Sequence, residues 1–322
     1  MKEKYIFVTV SLLDNLDFIF SSIYKLNKFY KISKYVVIVP KNDIKIFEKK
    51  LNVYENIEII EENKICCKRE FFNLCDVFFK NKYQCNPFRK KWYYQQILKL
   101  SYIANKKYFS NNNLIIWDAD TIPIKKIKFF NKYNQPYLYG SSYEYHLPYF
   151  IINKILLGPK SSILNLSCIN QFVALNLQIR RDLGKFFLKL NRLNKIKNND
   201  LFVANALLKA LAIGQNLNSK NDTKFSEYEF IGNFILNKYY KSNKEQKRIK
   251  FFRNNVDGNL NLLQKIILNF FNYKHITFEK KFKKDQIQTY KNLFLCILRD
   301  LSFYIYLSKI KKLVFSKKRI YF

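Results

Sequence analysis

Three short apolar runs constrain this 322-residue chain more than any other feature. They are KYIFVTV (Lys4–Val10), YVVIVP (Tyr35–Pro40) and NIEIIEE (Asn56–Glu62). Each is short and rich in β-branched residues, so each reads as a strand. Between them lie LDFIFSSIYKLNKFY (Leu16–Tyr30), with helical spacing at Phe18, Ser22, Leu26 and Phe29, and DIKIFEKKL (Asp43–Leu51), a short helix with an acid at its start. Strand, helix, strand, helix, strand implies a parallel sheet covered on both faces, an α/β fold. WYYQQILKLSYIANKKYF (Trp92–Phe109) predicts a further helix, and LIIW (Leu114–Trp117) a fourth strand.

That fourth strand stops at two carboxylates, Asp118 and Asp120, in a chain with 58 Lys+Arg and only 24 Asp+Glu. In parallel sheets ligands sit beyond the carboxyl ends of strands. Residues two apart on an extended segment face the same side, so the two acids are expected to point into one cleft. Their repulsion would be relieved by Mn²⁺ or Mg²⁺, which takes one or two carboxylates plus phosphate oxygens and water. The bland alternative is turn chemistry around Asp120-Thr121 with Asp118 as a cap. Phosphatases of the haloacid dehalogenase type also carry D-x-D after a strand, but they want Thr or Val where this chain has Ile122. No P-loop or G-x-G-x-x-G fingerprint is present.

A hydrophobic content of 48% suffices for a sizeable core. No window offers the roughly 18 apolar residues of a membrane span, and the N-terminus reads as a strand rather than a signal peptide. Cys66, Cys67, Cys75, Cys85, Cys168 and Cys296 form no C-x-x-C pair, which argues against zinc and for reduced thiols in a cytoplasmic protein. The formal net charge of +34 has a bland source, a bias towards Lys, Asn, Ile, Phe and Tyr, and a functional one, an anionic partner. From about Asn233 onward basic and aromatic residues dominate. The expected division is 1–235 for the α/β domain and 236–322 for a basic, mostly helical C-terminal region, its last part (Asn292–Phe322) amphipathic and suited either to capping the core or to an anionic lipid surface.

Four pieces in order, WYYQQILKL (Trp92–Leu100), WDADTIP (Trp117–Pro123), YEYHLPYF (Tyr143–Phe150) and FSEYEFIGNF (Phe225–Phe234), resemble glycosyltransferases of the GT-A fold. More narrowly, they resemble a bacterial surface-polysaccharide glycosyltransferase-like family of largely unknown function. The resemblance covers roughly residues 4 to 235. It implies a GT-A-like Rossmann-type sheet, a nucleotide-sugar donor, a glycan or lipid-linked acceptor, and Asp118 and Asp120 on a Mn²⁺ or Mg²⁺ ion. It further implies donor contacts from Thr9, Trp92, Tyr93, Gln95, Gln96, Lys99 and Asp118, with Lys99 available to a phosphate. Glu144, His146, Tyr149, Asn170 and Gln171 are the expected acceptor side, and His275 a third metal ligand. Glu227 or Glu229 would be the general base that deprotonates the acceptor if configuration inverts; if FSEYEF opens a helix instead, Ser226 caps it and both acids favour its N-terminus.

The expected activity is therefore metal-dependent hexosyl transfer onto a capsule- or lipooligosaccharide-type glycan. The enzyme would be cytoplasmic, peripheral on the inner face of an anionic membrane. Two other functions fit parts of the sequence. A sugar-phosphate transferase would use the same metal site. A nucleic-acid-binding protein would explain the charge but leaves the D-x-D without a role.

Overall fold

The structure, a computed structural model, describes residues 4–79, 87–140, 146–158, 166–193, 201–213, 224–240, 246–254, 262–278 and 293–298. The chain groups into two compact units, Met1–Ile249 and Lys250–Phe322.

The first unit opens with β1 (Lys4–Val10), α1 (Leu16–Phe29), β2 (Lys31–Val39), α2 (Ile44–Leu51) and β3 (Ile57–Glu61). Then come α3 (Lys68–Phe79), α4 (Pro87–Ala104), β4 (Asn113–Trp117), β5 (Thr121–Pro123) and β6 (Tyr139–Gly140). It continues with α5 (Leu147–Leu157), β7 (Phe172–Leu175), α6 (Leu177–Leu193), α7 (Phe202–Ile213), α8 (Glu227–Tyr239) and β8 (Lys247–Arg248). The boundary expected at 235/236 falls inside α8.

The main sheet has the order β3-β2-β1-β4-β7. β1, β2, β3 and β4 are parallel, with Val8 opposite both Val36 and Ile116. β7 runs antiparallel to β4, an edge strand that the sequence pattern did not announce. From β1 the chain moves outward through β2 to β3, then returns to place β4 on the other side of β1. Crossovers of the usual right hand therefore set α1 and α2 on one face and α3 and α4 on the other, as a doubly wound α/β fold requires.

Strand alternation sorts the core. Ile6, Val8 and Val10, with Val36, Ile38, Leu114 and Ile116, pack with residues of α3, α4, α6, α7 and α8. The opposite parity is aromatic: the Phe7 ring stacks on Tyr35 at 6.0 Å and meets Trp117 edge-on at 6.2 Å. Each such buried side chain contributes about 1.5–3 kcal/mol through apolar burial. α1 buries Ile19, Ser22, Ile23 and Leu26; of the expected stripe Ser22 and Leu26 are buried, while Phe18 and Phe29 are partly exposed. α4 starts and stops earlier than expected, because Asn105 is extended and its side chain accepts from Lys107 N, closing a separate 3₁₀ turn at Lys106–Tyr108.

In the second unit β9 (Phe251–Asn254) and β10 (His275–Phe278) pair in parallel, with α9 (Leu262–Phe270) between them in the chain. Within Asn292–Phe322 the described residues are 293–298, which are helical; the remainder of that expectation lies outside the described residues.

Candidate functional site

The strand order reverses between β1 and β4, and this switch point is where a doubly wound sheet opens a crevice. Asp118 follows the last residue of β4 there. Its N–H donates to Gln171 O at 2.9 Å, its carbonyl accepts from Thr121 N at 3.1 Å, and the Trp117 indole N–H donates to Thr121 O at 2.9 Å. Asp118–Thr121 is thus a closed turn and not an extended segment. The expectation that the two acids share a face because they lie two apart on a strand does not hold, since the turn sets their directions. Asp120 is half-buried and its Oδ1 lies 3.4 Å from the Thr121 hydroxyl.

Asp118 Oδ1 accepts from Lys99 Nζ at 2.5 Å and from the Tyr228 hydroxyl at 2.5 Å. Lys99 Nζ also donates to Glu227 Oε1 at 2.6 Å and to the Tyr228 oxygen at 3.3 Å. Its three N–H groups therefore meet three oxygens. The Lys99 and Glu227 side chains are only 4% and 5% exposed, while Asp118 retains 19%. Elements far apart in the chain build this cluster: α4 supplies Lys99, the end of β4 supplies Asp118, and the first turn of α8 supplies Glu227 and Tyr228.

Local chemistry fixes α8 in place. Ser226 is its N-cap, with the side chain accepting from Glu229 N, and Gln96 Oε1 on α4 accepts from Glu227 N at 3.1 Å. FSEYEF is therefore a helix start. At Gly232 an added Cβ would lie 2.3 Å from Cys168 Sγ, so α8 can approach the 168 segment only because this position is glycine.

Burial alone would lower the Lys99 pKa, but the carboxylates of Asp118 and Glu227 outweigh it and hold the ammonium charged. Burial and the Asp118 charge push Glu227 upward, against the pull of Lys99. Burial is the larger cause; the Asp118 charge adds to it because one ammonium serves two carboxylates. Burial and the same two acids keep the Tyr228 phenol protonated, so it donates to Asp118.

The other sequence-derived residues distribute as follows. Thr9 is fully buried, donates to Trp117 O at 2.8 Å and shares a 2.8 Å hydrogen bond with the Tyr35 hydroxyl. It braces β1 against its neighbours, which does not fit a donor contact. Lys99 is committed to carboxylates, which does not fit a phosphate ligand. Trp92 is partly buried and edge-on to Tyr93 at 5.3 Å; the Tyr93 hydroxyl accepts from Lys224 N; Gln95 is partly exposed. Gln96 caps α8, as above.

Glu229 is fully buried and accepts from Cys168 N at 2.9 Å. Burial pushes its pKa up to about 8, against the lowering effect of Ser167 and the Cys168 N–H. Neither glutamate offers the open carboxylate expected of a general base: Glu227 is ion-paired under Asp118 and Glu229 is sealed in the core. Asn170 donates to Tyr139 O at 2.9 Å, and Gln171, with φ 63°, presents its backbone carbonyl to Asp118. Among the described residues no donor reaches the buried acceptors Asn170 Oδ1 and Gln171 Oε1. His146 precedes α5 and packs edge-on to Tyr149 at 4.6 Å. Glu144 lies outside the described residues. His275 belongs to the second unit, where its buried ring stacks on Phe251 at 4.9 Å.

Tyr228 is the site residue that sequence reasoning missed. Its only signal in the sequence is its place between Glu227 and Glu229 in S-E-Y-E.

A family of unknown function, DUF6492, matches residues 9–133, from the end of β1 past the Asp118–Thr121 turn. No curated protein matches the chain. Among solved structures, the galactosyltransferase LgtC in complex with donor and acceptor sugar analogues is similar at a TM-score of 0.36 and 10% identity, covering 63% of this chain and 70% of that one. Mouse xyloside xylosyltransferase 1 in its apo form is similar at a TM-score of 0.42 and 9% identity, covering 85% and 97%. An active-site mutant of LgtC gives 0.41 and 8% identity, covering 85% and 86%.

Proposed function

We propose that this chain is a glycosyltransferase that moves a sugar from a nucleoside-diphosphate sugar to a hydroxyl of a cell-surface glycan. The observation that carries the reading is the acidic Asp118–Thr121 turn at the switch point of a doubly wound sheet, backed from below by Lys99, Glu227 and Tyr228.

The residues present fit a divalent cation of the Mn²⁺ or Mg²⁺ kind. Lys99 and Tyr228 occupy Oδ1 of Asp118, so its second oxygen, with the Asp120 carboxylate two residues on in the same turn, is the donor set a cation would use. The surplus negative charge of the cluster favours one. Among the described residues no group of three or more His, Cys, Asp or Glu could hold a metal. Such an ion would therefore draw most of its ligands from diphosphate oxygens and water, as Mg²⁺ commonly does. When bound it supplies neutralisation of charge on the departing diphosphate.

The chain's own residues do the rest. Lys99 and Tyr228 hold the Asp118 carboxylate in one orientation, an arrangement preorganised before any substrate arrives. Gln171 braces the turn through its backbone carbonyl, and the side chains of Asn170 and Gln171 are buried, which does not fit open acceptor contacts. With Glu227 committed to Lys99, an inverting mechanism that uses it as base loses its support.

Peripheral attachment to an anionic membrane belongs to the same reading. α9 turns Leu262, Leu263, Ile266 and Phe270 outward while Gln264 and Leu268 are buried. An outward apolar face on a basic unit suits a bilayer interface. Among the described residues no helix is long and apolar enough to cross a membrane.

The test is product analysis with a panel of nucleoside-diphosphate sugars and Mn²⁺. Release of nucleoside diphosphate is the expected result. Release of nucleoside monophosphate would instead identify a sugar-phosphate transferase, and no donor turnover across the panel would overturn both.

A further inference from the structure

We propose that the first unit carries a second, anion-binding groove at the strand-start end of its sheet, which holds a linear acidic glycan. The hollow measures about 1000 Å³ and lies between the start of β1, the end of α1, the start of β2 and residues 126–132. Five of its eleven lining residues are lysines, Lys28, Lys31, Lys126, Lys128 and Lys132, and none is an acid. The chain-wide bias, 58 basic residues in 322, would place about two in any eleven. The local excess therefore exceeds what composition explains.

Among the described residues none of the five is ion-paired with a carboxylate. Four lean on rings instead: Lys28 over Tyr24 at 4.1 Å, Lys126 over Tyr30 at 5.9 Å, Lys128 over Tyr137 at 5.9 Å and Lys132 over Tyr133 at 4.9 Å. Like charges gathered around one concavity repel one another and focus a positive potential into it. The geometry is held rigidly. The Tyr30 hydroxyl accepts from Ile127 N at 2.7 Å and donates to Ile127 O at 2.9 Å, so Ile127 points inward while Lys126 and Lys128 stand outward.

The groove is separate from the Asp118 turn. Tyr5 lines it and Val10 ends the same strand at the switch point, roughly 17 Å away at a strand rise near 3.3 Å. The floor rings Tyr5, Tyr30 and Phe130 are buried, so they give no platform for successive nucleic-acid bases. A bilayer is flat and wants outward apolar side chains, whereas this surface is concave with its rings turned in. An acidic glycan presents charges at regular intervals along a narrow chain, which matches a concavity ringed by lysines. The choice of a glycan rests on the glycosyltransferase reading; the charge excess does not.

The test is binding of the full chain to a size-defined sialic-acid oligomer, with a neutral dextran of equal length, an oligothymidylate and phosphatidylglycerol vesicles as comparisons. The sialic-acid oligomer is expected to bind, more weakly as salt rises, and the dextran not at all. Lys126→Glu/Lys128→Glu is expected to weaken that binding by roughly tenfold, with Lys126→Gln/Lys128→Gln intermediate. Both lysines are exposed, and an unchanged melting temperature checks the fold of each variant. Equal binding by the charge-reversed variant, equal binding of dextran, or lysine-dependent capture of the oligonucleotide or vesicles without the glycan would each overturn the proposal. Donor turnover is measured on the same samples. Lysine-dependent glycan binding in a chain that turns over no donor would sink the catalytic reading and leave the groove standing.

Discussion

Lys99 and Glu227 stand 128 positions apart in the chain, yet their side chains meet at 2.6 Å beneath Asp118. One ammonium on α4 thereby ties the first turn of α8 to the acidic turn at the end of β4. Removing that ammonium leaves two facing carboxylates uncompensated. Lys99→Met is expected to destabilise the fold by about 3–5 kcal/mol, the usual cost of stripping one partner from a buried pair. Lys99→Met/Glu227→Gln should recover part of the loss. Urea denaturation measures both, and additive effects in the double variant would contradict the coupling.

Tyr228→Phe keeps the ring and removes the hydroxyl that donates to Asp118 Oδ1. Its stability should fall by about 1.5–3 kcal/mol, the range for a hydrogen bond to a charged group. Donor affinity should fall more than stability suggests, because Asp118 loses one of its two restraints. Calorimetric titration of donor with cation checks this; unchanged affinity would remove Tyr228 from the site.

Much of this architecture was legible in the sequence, for physical reasons. β1, β2 and β4 lie inside a parallel sheet covered on both faces, so they read as near-continuous apolar runs, while β3 at the edge, IEIIE, carries glutamates and buries only Ile60. β7 has four residues, too few for a pattern, and α7 buries nine of its twelve residues, so no amphipathic stripe marks it. Asp118, Lys99 and Glu227 were each legible as chemically charged outliers in apolar settings. Their mutual contact was not, since nothing local in a sequence encodes which distant element meets which. The reading of Lys99 as a phosphate ligand failed for that reason, and the shared-face argument for Asp118 and Asp120 failed because a turn replaces the strand.

Glu229 gives a pH dependence with a definite sign. Burial raises its folded pKa to about 8, above the usual 4.5, so the folded state binds more protons than the unfolded state between these values. Its stabilising contribution is complete below about pH 4.5, declines as pH rises and is lost above about 8, at no more than about 1.4 kcal/mol per pH unit. Glu229→Gln, which keeps an oxygen for Cys168 N, should flatten that slope. Denaturation midpoints across this window decide the matter, and an unaltered slope in the variant would assign the titration elsewhere.

Gly232→Ala places a Cβ 2.3 Å from Cys168 Sγ and 2.7 Å from its Cβ. Displacement of α8 is expected to cost about 1–3 kcal/mol, as overpacked cores do. Gly232→Ala/Cys168→Gly should be less destabilised than the sum of the two single changes. Simple additivity would show that the two positions do not clash.

The acidic turn is proposed to hold a diphosphate donor through a divalent cation. A thermal-shift screen of nucleoside-diphosphate sugars with Mn²⁺, with chelator, and with Asp120→Ala tests it directly. The expected result is a donor that raises the melting temperature of the natural chain by several degrees near saturation, only when cation is present, and never that of Asp120→Ala. A donor that stabilises the protein equally in chelator, or equally in Asp120→Ala, would contradict it.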